Sequence, residues 1–231
     1  MGAWMLGTTE NVGAGEIFSA HLTNPSQDYF TALYNHVVHL MTRWSDYLEL
    51  YDNEEYIELM NAVAPVFFSQ HQSDLIDHIM MAIARLTDPP ASGSNYNRRE
   101  NLSISRLPDC LNNDLAKKNV RSLLSALEKS DDLRRIRDWR NKEGGHNDLL
   151  VATGQSVVPK STIQFLCIKN VLNEIKEIII ESVGNPQLFS YVNALMRGNR
   201  HLMHAIKLGW DAAREVDDPH FGPYNSAKVE A

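Results

Sequence analysis

The feature that most constrains this chain is a stripe. Phe30, Leu33, Val37, Leu40, Trp44, Tyr47 and Tyr51 recur at alternating steps of three and four. That spacing holds all seven on one face of a long α-helix, whereas a half-buried strand would alternate with period two. No segment of the chain alternates with period two, so an all-α fold is expected, a single bundle of six to eight helices. A compact chain of 231 residues buries roughly 70–75% of its unfolded surface, enough for a real hydrophobic core. Apolar residues make up 43% and charged residues 22%, which sets it apart from disordered and fibrous chains.

The same reasoning divides the rest of the chain. A second helical region covers about 54–70, with Pro65 bending or splitting it. A third runs over about 72–87, where Leu75, Ile79, Ile83 and Leu86 share a face. The stretch TDPPASGSNYNRREN, 87–101, is a loop by composition, and it reads as an excursion within one domain rather than a linker. After a short turn at SISRLPDCL, a helix spans Asp114 to about Glu128. Ser130 then stands as an N-cap with Asp131 and Asp132 in the first turn, where the helix dipole favours acids. That helix is expected to run to about Glu143 and to stop or distort at Gly144 and Gly145. Ser161 opens a further helix that ends near 184–186, and 187–215 is helical again, interrupted near 197–199. Residues 1–26 read as a flexible lead-in, 27–216 as the helical domain and 217–231 as a flexible tail. No internal repeat is visible.

Several classes of function are excluded or narrowed. No run of about 18 apolar residues is present, and the start MGAWMLGTTENVG lacks a secretory pattern; with Leu6 in place of Ser or Thr the myristoylation pattern fails too. The expected location is the cytoplasm. Cys110 and Cys167 lie 57 positions apart without a C-x-x-C, so they read as reduced packing residues. A net charge of −7 and a pI near 5.7 are wrong for a protein that coats nucleic acid over its whole surface, so any such contact is local. No phosphate-binding glycine loop, dinucleotide fingerprint or nucleophile elbow occurs.

One stretch reverses the sign of the chain. Between 129 and 146, Lys129, Arg134, Arg135, Arg137, Arg140 and Lys142 face Asp131, Asp132, Asp138 and Glu143, a local excess of +2. A solvated helix face with (i, i+4) pairs such as Asp138 with Lys142 accounts for the charges alone. The combination of Arg140, Asn141 and His146 suggests more. Histidine gives and takes a proton near neutral pH, arginine offers a fork of donors matched to phosphate, and asparagine can orient either. Together they suit cleavage of an RNA phosphodiester by its own 2′-hydroxyl, which needs proton transfer and stabilisation of a charged phosphorane but no metal. On an ideal helix, six positions advance about 600° and leave the two side chains some 120° apart. The glycines, or a second subunit, would have to bring them together.

RNKEGGH resembles the R-x(4–6)-H motif of the HEPN superfamily, with Asn directly after Arg. IARLTDPPASGS…RRENLSISRL, 83–107, resembles the Arg-Leu-x-Asp and Asn-Leu-Ser segments of its abortive-infection, AbiU-like branch. The resemblance covers roughly residues 28–215. It implies a helical bundle that dimerises and a metal-independent ribonuclease of toxin–antitoxin or phage-defence systems, with Arg140 and His146 catalytic and Asn141 in support. The neighbouring Arg134, Arg137 and Lys142 are candidate RNA contacts. It also implies an RNA substrate, a possible cognate antitoxin, no cofactor and no metal. Two departures stand out: the glycine pair precedes the histidine, and no Tyr lies two places after His146 to receive a nucleotidyl group. A dimer follows separately from the chemistry, since the reaction is helped by both a base and an acid and one motif supplies one histidine. The alternative is a non-catalytic module of the same fold that binds RNA or a protein partner.

Other residues carry weaker signals. His36 with His39 and His201 with His204 have the (i, i+3) spacing of a metal grip but lack a convincing third ligand. Arg85 and Asp88 suggest a buried ion pair pinning the 87–101 loop. Trp44, Trp139 and Trp210 are core residues by their helical spacing, with base stacking as the alternative.

Overall fold

The structure, a computed structural model, describes residues 27–93, 97–144, 165–189 and 198–215. Eight α-helices occur among them: α1 (Gln27–Tyr51), α2 (Glu54–Val63), α3 (Pro65–Leu86), α4 (Leu107–Cys110), α5 (Asp114–Glu128), α6 (Asp131–Trp139), α7 (Phe165–Val183) and α8 (Gly198–Glu215). The expected all-α bundle is what forms.

The stripe on α1 is the centre of it. Phe30, Leu33, Val37 and Leu40 are fully or almost fully buried, and Trp44 nearly so. They meet Ile79, Met80 and Ile83 of α3, Val120 and Leu127 of α5, Leu133 and Ile136 of α6, and the apolar face of α7 in one continuous core. A smaller cluster of Leu50, Met60, Phe68 and Met203 joins α1, α2, α3 and α8 at another end. Burial of a Leu, Ile or Phe side chain contributes about 1.5–3 kcal/mol, so the larger cluster dominates the stability of the bundle.

Local chemistry sets most of the helix ends. Asn113 caps α5, its side-chain oxygen accepting from the amides of Leu115 and Ala116 at 2.8 and 3.2 Å. Gly184 follows α7 with φ +69, and its amide donates to the Ile180 carbonyl at 2.8 Å. That left-handed conformation is the one glycine adopts without penalty.

Five details differ from the sequence reading. Pro65 does split the second region, but it opens α3 as its first residue, and α3 continues to Leu86 without the break expected near 70–72. Proline is preorganised for that position, and Ser69–Ser73 contains no glycine or proline to stop the helix. The 87–101 loop contains a short antiparallel hairpin, β1 (Ala91–Ser92) with β2 (Arg99–Glu100). Gly93 has φ +95, and a Cβ there would collide with the Asn97 carbonyl. Ser130 occupies the cap position of α6, yet its hydroxyl makes no capping bond. Residues 187–189 form turn rather than helix, with Leu188 and Phe189 buried; α8 begins at Gly198. Finally, regular helix ends at Trp139, and Arg140–Gly144 is a π turn, so the distortion starts five residues before the glycine pair is complete. Residues 1–26, 145–164 and 216–231 lie outside the described residues, and with them Gly145, His146, the start of the Ser161 helix, and the expected lead-in and tail.

Candidate active site

The C-terminal end of α3 is where the site is built. Carbonyls at a helix C-terminus carry partial negative charge and attract cations. Thr87 ends the helix there; it is buried, and its hydroxyl donates back to the Ile83 and Ala84 carbonyls at 2.9 and 3.2 Å. Two arginines one turn apart on the neighbouring element reach this end. Arg137, in the last turn of α6, donates through Nη2 to the Thr87 carbonyl and holds both carboxylate oxygens of Glu128 at 2.7 Å each. Arg140, the first residue of the π turn, donates through Nη1 to both carboxylate oxygens of Asp88, at 2.6 and 2.8 Å.

The two guanidiniums are used differently. Arg137 has both terminal nitrogens engaged within the protein, whereas Arg140 makes its remaining described contact through Nε, which donates to the Asn141 side-chain oxygen at 3.0 Å. The Nη2 edge of Arg140 takes no partner among the described residues. Arg140 and Asp88 are each 24% exposed, so the pair is shielded but not sealed. Charge-assisted bonds of this kind are about twice as strong as neutral ones. A π turn such as the one that follows α6 is rare and recurs at functional sites.

Asp88 is itself held from behind. Ser103, fully buried, donates its hydroxyl to the Asp88 carbonyl. The Tyr29 hydroxyl of α1 donates to the Ser103 carbonyl at 2.5 Å and accepts from the Ser103 amide at 2.8 Å. Burial holds the Tyr29 phenol above its ordinary pKa, which keeps that hydroxyl a donor across the physiological range. Asn101 stitches the hairpin base, its amide donating to Pro90 and its side-chain amide to Pro89 at 2.9 and 2.8 Å.

The ion pair expected between Arg85 and Asp88 does not form. Arg85 is exposed, and the Asp88 carboxylate is taken by Arg140, 52 positions away. One helical turn places Arg85 on the solvent side of α3, while Asp88 lies past its end and faces α6. Nor do Asp138 and Lys142 pair among the described residues, because the π turn breaks the (i, i+4) geometry between them. Arg134 pairs instead with Asp131 at 2.8 Å on an exposed face; Lys142 is half-buried and makes no ion pair among the described residues. Glu128, Asp131, Arg134, Arg137 and Asn141 line an open cavity of about 410 Å³ beside this cluster.

The structure thus brings together Arg137, Arg140, Asn141 and Asp88, with Arg134 across the cavity; His146 lies outside the described residues. The sequence reading missed Glu128, the Thr87 carbonyl and the Tyr29–Ser103 pair. Asp88 and Ser103 belong to one family-like stretch and Arg140 to the other, so the co-occurrence of the two stretches was the available signal. The weaker candidates fall elsewhere. Trp44 and Trp139 are core residues, Trp44 stacked on Tyr47, while Trp210 is half-buried on α8. His36, His39, His201 and His204 are exposed, and the described residues hold no group of three metal-ligating side chains. Cys110 and Cys167 are buried free thiols. Among the described residues no helix is long and apolar enough to cross a membrane.

No curated protein and no solved structure matches the chain. The family model for AbiU2 HEPN domains matches residues 25–185, more than two thirds of the chain, and the match takes in both stretches that meet at Asp88 and Arg140. The chain belongs to the AbiU2 family of HEPN domains.

Proposed function

We propose that this HEPN domain is a metal-independent endoribonuclease and acts as a toxin in abortive infection, in the cytoplasm. The observation that carries the reading is Arg140: a guanidinium fixed on one side by Asp88 and Asn141, with an Nη2 edge that no described residue takes up. Phosphate is the ligand that such a planar fork suits. In the reaction, the RNA 2′-oxygen attacks the adjacent phosphorus, the 5′-oxygen leaves, and a 2′,3′-cyclic phosphate remains. His146 takes the 2′-hydroxyl proton or gives one to the leaving oxygen, and Arg140 stabilises the charge that builds on the phosphorane. Asn141 keeps the guanidinium aligned. Arg134 and Lys142 supply contacts to flanking phosphates; Arg137 has both terminal nitrogens committed to Glu128 and Thr87 and adds its field.

The motif supplies one imidazole per chain, and cleavage is helped by a base and an acid acting together, so the active species is a homodimer with the motif at its two-fold axis. Expression is expected to arrest growth, and His146→Ala to relieve the arrest while the protein still folds. Cleavage of RNA that persists in excess EDTA and leaves cyclic phosphate ends identifies the mechanism. Mixed dimers with one His146→Ala chain should keep little activity; full activity per intact chain would count against a shared site. A cognate antitoxin would cover this face.

A specific observation favours a second reading, a non-catalytic module binding RNA or a protein. Arg134, Arg137 and Arg140 each have a carboxylate partner, which neutralises most of the local positive excess. Tight RNA binding with no cleavage by the wild type would select it.

A further inference from the structure

We infer that Asp88 is a positioning residue for Arg140, and that Ser103 and Tyr29 extend its support back to α1. The inference rests on the nuclease reading and deepens it. A carboxylate on a candidate catalytic arginine could do one of two opposite things. It could occupy the guanidinium in place of phosphate and so mask it, or it could hold one edge while the other meets substrate.

The geometry points to holding. Asp88 uses Nη1 alone, accepting at 2.6 and 2.8 Å, and Asn141 uses Nε at 3.0 Å. Neither engages Nη2. A carboxylate standing in for phosphate would be expected to take the side-on fork of two nitrogens, as bidentate pairs do. The attachment of Asp88 is also wrong for a latch. Its own amide donates to the Arg85 carbonyl, and its carbonyl accepts from the Ser103 hydroxyl. Thr87 before it is 2% exposed and Ser103 is 0% exposed. Tyr29, from α1, grips the backbone of Ser103 on both its amide and its carbonyl. A releasable group would sit on a segment with few such ties. Asp88 is mounted on the rigid end of α3, which is how a side chain that must fix another's direction is best supported.

Misplacing a substrate-binding group by about 1 Å can cost about 10²-fold in rate. Asp88→Ala is therefore expected to lower kcat about 10–100-fold on total cellular RNA while KM changes little. Asp88→Asn, whose amide oxygen still accepts from Nη1, should recover most of the loss. Ser103→Ala should fall between them. An Asp88→Ala protein as active as wild type, or more so, overturns the inference, as would Asp88→Asn no better than Asp88→Ala. A second measurement needs no activity: the arginine side-chain N–H signals of the full chain by NMR, with Arg140 assigned through its loss in Arg140→Lys. Slow guanidinium rotation in the wild type that becomes fast in Asp88→Ala supports positioning; equal rotation in both refutes it. If the wild type cleaves nothing, the nuclease reading fails while the NMR result still decides the role of Asp88.

Discussion

Arg137 and Arg140 are three residues apart and reach the same helix end, yet they do different jobs. Arg137 belongs to regular α6; its three described contacts run to Glu128 and to the Thr87 carbonyl, tying α5, α6 and α3 together. Arg140 belongs to the π turn, and its described contacts leave one edge unused. Each makes three described contacts, so what separates them is which donors the fold engages: both terminal nitrogens of Arg137, but only Nε and Nη1 of Arg140. Where both terminal nitrogens are held inside the protein the residue is a strut; where one remains, it can take a ligand.

That contrast can be broken experimentally, and the largest effect should come from the π turn. Arg140→Ala and His146→Ala are each expected to reduce RNA cleavage by at least about 10³-fold, in line with residues that act on the transition state as a unit. Cleavage assays of variants whose circular dichroism matches wild type provide the check, and near-normal rates would remove the distinction. The strut should respond in the other currency. Arg137→Ala leaves Glu128 and a buried helix-end carbonyl without their donor, and should lower Tm by about 2–6 °C in a thermal melt. An unchanged Tm would mean that the three contacts contribute little.

Smaller effects sharpen the same comparison. Arg134→Ala with Lys142→Ala should weaken binding of a single-stranded RNA probe several-fold and flatten its salt dependence by about one to two counterions; titration at several salt concentrations measures it, and an unaltered slope would move the flanking contacts elsewhere. The smallest effect concerns the fold alone. Glu174 of α7 is held above the usual carboxylate range, first by burial and then by repulsion from Asp132 and Glu177, and its buried Oε2 has no hydrogen-bond partner among the described residues. A raised pKa favours the protonated form in the folded state, so the stability it permits is present at acid pH and is lost as pH rises through the folded value. Glu174→Gln should raise Tm by about 1–3 °C at pH 7 and make no difference at pH values below the ordinary carboxylate range. A gain that persists in acid would refute that assignment.

The legibility of the chain was uneven for reasons that particular residues make plain. The limits expected for α5, Asp114 to Glu128, match the structure because apolar spacing and chain polarity agree there. Pro65 announced a break because a proline inside a helix removes a bond. The continuity of α3 through Ser69–Ser73 was missed, since polar residues without glycine or proline neither stop a helix nor advertise one. Ser130 marked the start of α6 correctly although its hydroxyl makes no cap, so the positional preference held without its usual hydrogen bond. The site was legible as a list of residues on one strip, Arg134 to Lys142, and illegible as a geometry. Arg85 was the natural partner for Asp88 by proximity in the chain, and the fold gave that place to Arg140.

By itself, then, the sequence determined the helical period, the buried stripe on α1, the membership of the AbiU2 family and the identity of the arginine worth attention. Only the tertiary structure decided which carboxylate meets which guanidinium. Periodicity reports what lies one or two turns away along a helix, whereas the Asp88–Arg140 pair closes a loop of 52 positions. Which charges meet across such a distance depends on how the bundle packs, and on the end of α3, where the Thr87 carbonyl takes Arg137 and the Asp88 carboxylate takes Arg140.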